Sequence, residues 1–221
     1  MFKKILIAED IDSINFGINT LLKERYEADI RNTKYCDEAL LKVKRAIMEG
    51  QPFDLLITDL SFMEDHRESK IKNGEELIEA ILTEQPDIKV IIYSIEDRPY
   101  KIKSLFEEYN IDAYINKGRE SIFELMEAID TVYKNSTYIS PRLHQVLKND
   151  VFQEIEDYDV ELIKYLSKGL TQDEISEYFQ KAGKSPASIS SIEKRINKLK
   201  IFFKAKNAIH LVAISKDMGI I

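Results

Sequence analysis

FDLLITD, residues 53–59, is the stretch on which the fold turns. Leu55 to Thr58 form an unbroken apolar and β-branched run, too continuous for a strand with one wet face and too short for a helix. Such a run suits a strand buried on both faces of a parallel sheet, and it stops on a carboxylate, Asp59. Three more runs share its form: KKILIAED (3–10) ends on Glu9 and Asp10, KVIIYS (89–94) on Ser94, and AYINK (113–117) on Lys117. A weaker fifth strand is predicted near Glu27 to Thr33. Between the strands, apolar residues recur at helical spacing, as in Ile14, Ile18, Leu21, or Leu77, Ile78, Ile81, Leu82, or Leu125, Met126, Ile129, Tyr133. The alternation predicts an α/β fold, a doubly wound (βα)5 flavodoxin-like domain over residues 1–134, in which ligands bind beyond the carboxyl ends of the strands.

The alternation breaks in NSTYISPRLHQVLKNDVFQEI (135–155), read as a linker, and residues 156–221 carry helical patterns only. A length of 221 residues accommodates two such domains, and 44% hydrophobic with 32% charged residues describes an ordinary globular chain. The net charge of −7 is unevenly spread. Residues 1–150 hold 21 Lys/Arg against 29 Asp/Glu, whereas residues 181–221 hold nine against two. Cys36 stands alone, which excludes an internal disulfide and a cysteine-rich zinc site. The apolar run after Met1 is too short for a secretory signal, and no stretch approaches the roughly 20 apolar residues of a membrane helix, so a cytoplasmic protein is expected.

In a doubly wound order the polar residues at the strand ends converge. Three carboxylates (Glu9, Asp10, Asp59), the Ser94 hydroxyl and the Lys117 ammonium would share one crevice. Carboxylates that close repel one another unless a cation lies among them, and a hard divalent ion with oxygen ligands, Mg²⁺, meets that need. Taken singly, an Asp or Ser after a strand is a turn or cap residue; five of them on four strand ends form a pattern.

That pattern, over residues 3–134, resembles the receiver domain of bacterial two-component response regulators. The resemblance implies that Asp59 is the phosphoacceptor, that Asp10 and the carbonyl of Ser61 join it in holding Mg²⁺ with help from Glu9, and that Lys117 and Ser94 contact the phosphoryl oxygens. Tyr114, three residues before Lys117, falls at the family's aromatic switch position, although a partly buried strand aromatic explains it equally well. One stretch departs from the family. After Asp59 the chain reaches its Asn73-Gly74 pair only through FMEDHRESKIK (62–72), about seven residues longer than usual and without proline. His66 beside Glu64 and Asp65 reads better as a solvated charged loop than as a metal site.

In the tail, ELIKYLSKG ends a helix at Gly169, and Thr171 with Glu174 forms a capping box that opens the next. A third helix, about Ser188 to Phe203, sets Ile189, Ile192, Ile196, Leu199 and Phe203 on one stripe and Ser191, Lys194, Arg195 and Lys198 on the other face. A capped helix, a turn and a basic helix predict a helix-turn-helix that lays its second helix in the major groove of duplex DNA. Residues 155–221 are similar to the LuxR-type (NarL/FixJ-like) output domain through Glu161, Leu162-Ile163, Gly169-Leu170, Glu174-Ile175, Ser191-Ile192 and Leu211-Val212-Ala213. Asp159 replaces a usual glutamate, and the turn QKAGKSPAS (180–188) is about six residues longer than is normal for the family.

The combination implies a DNA-binding regulator, phosphorylated on Asp59 by a histidine kinase and dimeric when active, rather than an enzyme. Two other classes compete. An adaptor would use the receiver as a phosphate sink and the basic tail to bind an acidic protein. A phosphatase with an aspartyl nucleophile normally needs a second acid two residues on, where this chain has Ser61.

Overall fold

The computed structural model describes every residue except 64, 65, 67 and 148–154. The grouping of His66 with Glu64 and Asp65, and the later part of the segment read as linker, therefore lie outside the described residues. The chain divides into two compact units, one formed mainly by residues up to 144 and the other by the residues beyond.

The first unit is a parallel sheet. Its strands are β1 (Lys4–Ala8), β2 (Asp29–Thr33), β3 (Leu55–Thr58), β4 (Lys89–Ser94), β5 (Ala113–Asn116) and β6 (Tyr138–Ile139). They run in the order β2-β1-β3-β4-β5-β6, with every pair parallel. The continuous apolar runs are fully buried, as strands covered on both faces must be. Helices α1 (Asp12–Arg25), α2 (Cys36–Met48), α3 (Gly74–Glu84), α4 (Pro99–Tyr109) and α5 (Ser121–Tyr133) make the crossovers. One core, in which Ile5, Ile7, Leu55, Ile57, Ile91 and Ile115 meet Ile18, Leu22, Leu125 and Ile129, holds α1 and α5 to one face of the sheet. Cys36 is free and buried, and that burial pushes its thiol up to about 12.

The sixth strand is a departure from the (βα)5 reading. Residues 138–139 pair with β5 as Ala113↔Tyr138 and Tyr114↔Ile139, and the helix α6 (Pro141–Leu147) follows. Two residues give no periodicity, so a strand this short leaves no mark in a sequence pattern.

The second unit is helical: α7 (Asp157–Ser167), α8 (Gln172–Lys181), α9 (Ile189–Phe202) and α10 (Ala208–Asp217). Leu162, Ile163, Ile175, Phe179, Ile192, Ile196, Leu199 and Leu211 form its core. Gly169 ends α7 at φ +84°, a left-handed conformation that L side chains rarely adopt, and Leu170 N–H returns to the Tyr165 carbonyl at 3.2 Å. The capping box of α8 forms: Glu174 N–H donates to Thr171 Oγ1 at 3.3 Å, and Thr171 N–H to Glu174 Oε2 at 2.7 Å. Ile189 is a correction to the apolar stripe of α9. It is the first residue of the helix and stands 47% exposed, while Ile192, Ile196, Leu199 and Phe203 are buried.

Candidate functional site

Parallel pairing of neighbouring strands brings their ends level. The register Ala8↔Thr58 sets Glu9 and Asp10 beside Asp59, and Ser94↔Asn116 sets Lys117 one residue beyond Ser94. Lys117 Nζ donates to Asp59 Oδ2 at 2.5 Å and to Glu9 Oε2 at 2.7 Å, with all three side chains at most 8% exposed. Asp59 Oδ1 accepts Leu60 N–H at 2.6 Å and Ser61 N–H at 3.3 Å. The phosphoacceptor candidate is thus held by a cation on one oxygen and by backbone amides on the other. Burial raises the pKa of Glu9 although Lys117 pulls it down; burial also opposes the charge on Lys117, but its two carboxylate partners outweigh this and raise its pKa.

Glu9, Asp10 and Asp59 each offer an oxygen within 4.8 Å of the others, an acidic cluster able to hold a metal ion. Three carboxylates against one ammonium leave about two uncompensated negative charges, which suits a divalent ion. Asp10 is turned partly outward, and its Oδ2 accepts Met63 N–H at 2.7 Å from the long loop. Ser61 lies exposed. The Ser94 hydroxyl is wholly buried and meets no hydrogen-bond partner, a donor in want of an oxygen. Tyr114 is buried, its phenol donating to the Glu96 carbonyl at 2.8 Å, and burial raises its pKa.

Contacts that sequence reading did not single out complete the site. Gly74 sits under the turn that follows Asp59: a Cβ there would lie 1.9 Å from the Asp59 carbonyl oxygen and 2.8 Å from Leu60 Cα. This accounts physically for the Asn73-Gly74 pair, since Gly74 N–H also donates to the Leu60 carbonyl at 2.9 Å and Asn73 caps α3. Asn15 Nδ2 donates to the Glu9 carbonyl at 3.0 Å, and Asn116 Nδ2 reaches the Glu96 carbonyl at 3.1 Å. No residue spacing announces these, because each joins a side chain to backbone across a loop.

In the helical unit, Lys194 and Lys198 are exposed one turn apart on α9, and Ser191 is half-buried on the first turn. Arg195 is not on that open face. Its Nη2 pairs with Asp159 Oδ2 at 2.5 Å, its Nε with Asp159 Oδ1, and its guanidinium reaches Glu156 at 3.1 Å. Asp159 is completely buried and also accepts Glu156 N–H at 3.0 Å. Arg195, counted with Lys194 and Lys198 among the DNA-facing residues of this helix, is held here with its Nε and Nη2 on a buried carboxylate. The signal was available, since Asp159 lies on the stripe of Leu162, Ile163 and Leu166, and a buried acid requires a partner. The long turn 180–188 is fastened by Tyr158 Oη to the Pro186 carbonyl (2.7 Å), by Ser176 Oγ to the Ala187 carbonyl (2.6 Å), and by the Lys184–Glu161 pair.

No family model matches the chain. Among curated proteins it is similar to the response regulator GacA of Pseudomonas aeruginosa, 28% identical over 151 residues, which are 68% of this chain and 64% of GacA, under two thirds of that relative's length. It is also similar to the oxygen regulatory protein NreC of Staphylococcus carnosus, 25% identical over 194 residues, 79% of this chain and 81% of NreC. Among solved structures, the response regulator RcsB of Salmonella typhimurium matches with TM-score 0.71 at 19% identity over 97% of this chain and 99% of its own. An RcsB–DNA complex matches at TM-score 0.67 and 18% identity, over 97% and 98%. At these identities the structures establish the fold: a receiver sheet followed by a helix-turn-helix unit. Relatives and fold agree: the chain is similar to response regulators, and its fold is that of a receiver sheet followed by a helix-turn-helix unit.

Proposed function

We propose that the chain is a phosphorylation-controlled, DNA-binding transcription regulator, with a receiver over residues 1–134, a connecting stretch over 135–155 and a DNA-binding domain over 156–221. The observation that carries this reading is Asp59 itself: a buried carboxylate clasped by Lys117 and two backbone amides, beside two further acids and an unpaired buried hydroxyl.

The phosphodonor is the phosphohistidine of a partner histidine kinase. A carboxylate oxygen of Asp59 attacks phosphorus; the new P–O bond forms as the P–N bond breaks, and the leaving histidine takes up a proton. Lys117, already at Asp59 Oδ2, shifts its donor to a phosphoryl oxygen, and Ser94 gives that group its free hydroxyl hydrogen. Glu9, Asp10, Asp59 and the Ser61 carbonyl suit Mg²⁺, which when bound supplies the positive charge that offsets the incoming phosphoryl group. Phosphorylation then biases the receiver toward a second state, with Tyr114 as the switch aromatic, and favours a homodimer competent for duplex DNA. In the cytoplasm that duplex is a promoter.

On the DNA side, Lys194, Lys198 and Ser191 of α9 face the duplex, with Arg195 supporting the helix from behind through Asp159. Fluorescence anisotropy on duplex DNA across a salt series, with and without a small-molecule phosphodonor, tests the reading. Salt-dependent binding strengthened by the phosphodonor is expected. No duplex binding in either state, together with capture of acidic protein, would make the chain an adaptor instead.

A further inference from the structure

We infer a second ligand site: a cleft of about 250 Å³ at the β2 edge of the sheet, lined by Lys4, Arg31, Lys42, Arg45, Glu49 and Phe53, that binds a compact phosphate-bearing anion. The lining carries four cations from three elements, β1, β2 and α2, and Glu49 as its one acid. This concentration occurs within residues 1–150, where acids outnumber bases 29 to 21. Lys4 lies at the start of β1, so the cleft is at the other end of that strand from Glu9 and Asp10.

Lys4 is held by a carbonyl and an aromatic ring, and the other three cations by surface ion pairs. Lys4 Nζ donates to the Gln51 carbonyl at 2.9 Å and lies 4.9 Å from the centroid of the buried Phe53 ring. Arg31 pairs with Asp29 at 2.7 Å, Lys42 with Glu38 at 3.0 Å, and Arg45 with Glu49 at 2.7 Å. These pairs are exposed and worth little, so a ligand with higher charge density displaces them readily. The Arg45 guanidinium holds the Glu49 carboxylate below its ordinary range, and Lys4 and Arg31 act in the same direction. Glu49, paired with Arg45 among these cations, is the carboxylate that an incoming anion would replace. The volume falls below that of a drug-sized pocket, which favours a phosphate or diphosphate group over a whole nucleotide.

The test is calorimetric titration of the full chain with inorganic pyrophosphate, with EDTA present to keep divalent ions from the Asp59 site. Side-chain NMR of the arginines runs in parallel. Saturable one-to-one binding is expected, with shifts at Arg31 and Arg45, weakened about tenfold by Arg31→Gln or Arg45→Gln. Glu49→Gln removes that carboxylate and should tighten binding, and Lys72→Gln, remote from the cleft, should leave it unchanged. Absence of saturable binding, or an affinity indifferent to Arg31, Arg45 and Glu49, overturns the site. So does binding to phosphatidylglycerol vesicles without binding to pyrophosphate.

Discussion

Gly74 bears no functional group, yet it sets the position of Asp59, the proposed phosphoacceptor. With its missing Cβ 1.9 Å from where the Asp59 carbonyl oxygen lies, any side chain must push back the turn that places Asp59 against Lys117. Gly74→Ala is predicted to destabilise the receiver by about 1–3 kcal/mol. A urea titration followed by circular dichroism measures this, and an unchanged midpoint would show that the turn yields without cost. Arg195 is the second residue whose role follows from what it touches. Removing it leaves Asp159 charged and buried, so Arg195→Ala should cost the helical unit about 3–5 kcal/mol. The double change Asp159→Leu with Arg195→Met should recover most of that loss. If Arg195→Ala keeps native stability and loses only cognate DNA affinity, the residue reads bases after all.

Elements differ in how openly they declare themselves. The runs at β1, β3, β4 and β5 are legible because strands buried on both faces need unbroken apolar sequence, and their polar last residues mark the site. β6 is illegible at two residues, and Ile189 is misread because a helix's first turn lies beyond the packed stripe. On α9 the face opposite the core is the one that matters. With Arg195 withdrawn to Asp159, Lys194 and Lys198 are its exposed cations. Lys198→Ala should weaken binding to specific and random duplexes alike and lower the salt slope by about one unit, with circular dichroism unchanged. A loss confined to the cognate duplex would instead make Lys198 a base reader.

Over the whole molecule, charge and chemistry are divided. Acids outnumber bases 29 to 21 in residues 1–150, the part proposed to take up a phosphoryl group, and bases outnumber acids nine to two in residues 181–221, the part proposed to meet DNA. That division, the receiver resemblance and the strand-end residues are all legible in the sequence. The Met63 latch on Asp10, the closeness of Gly74 and the cationic cleft around Glu49 are not, because each depends on backbone paths across loops or on contacts between separate elements. The central claim is that Asp59 alone accepts a phosphoryl group. Intact-mass spectrometry after incubation with a small phosphodonor and Mg²⁺ should find a single added phosphoryl group on the native chain and none on Asp59→Asn. An unmodified native chain, or a variant that still gains the group, would contradict it.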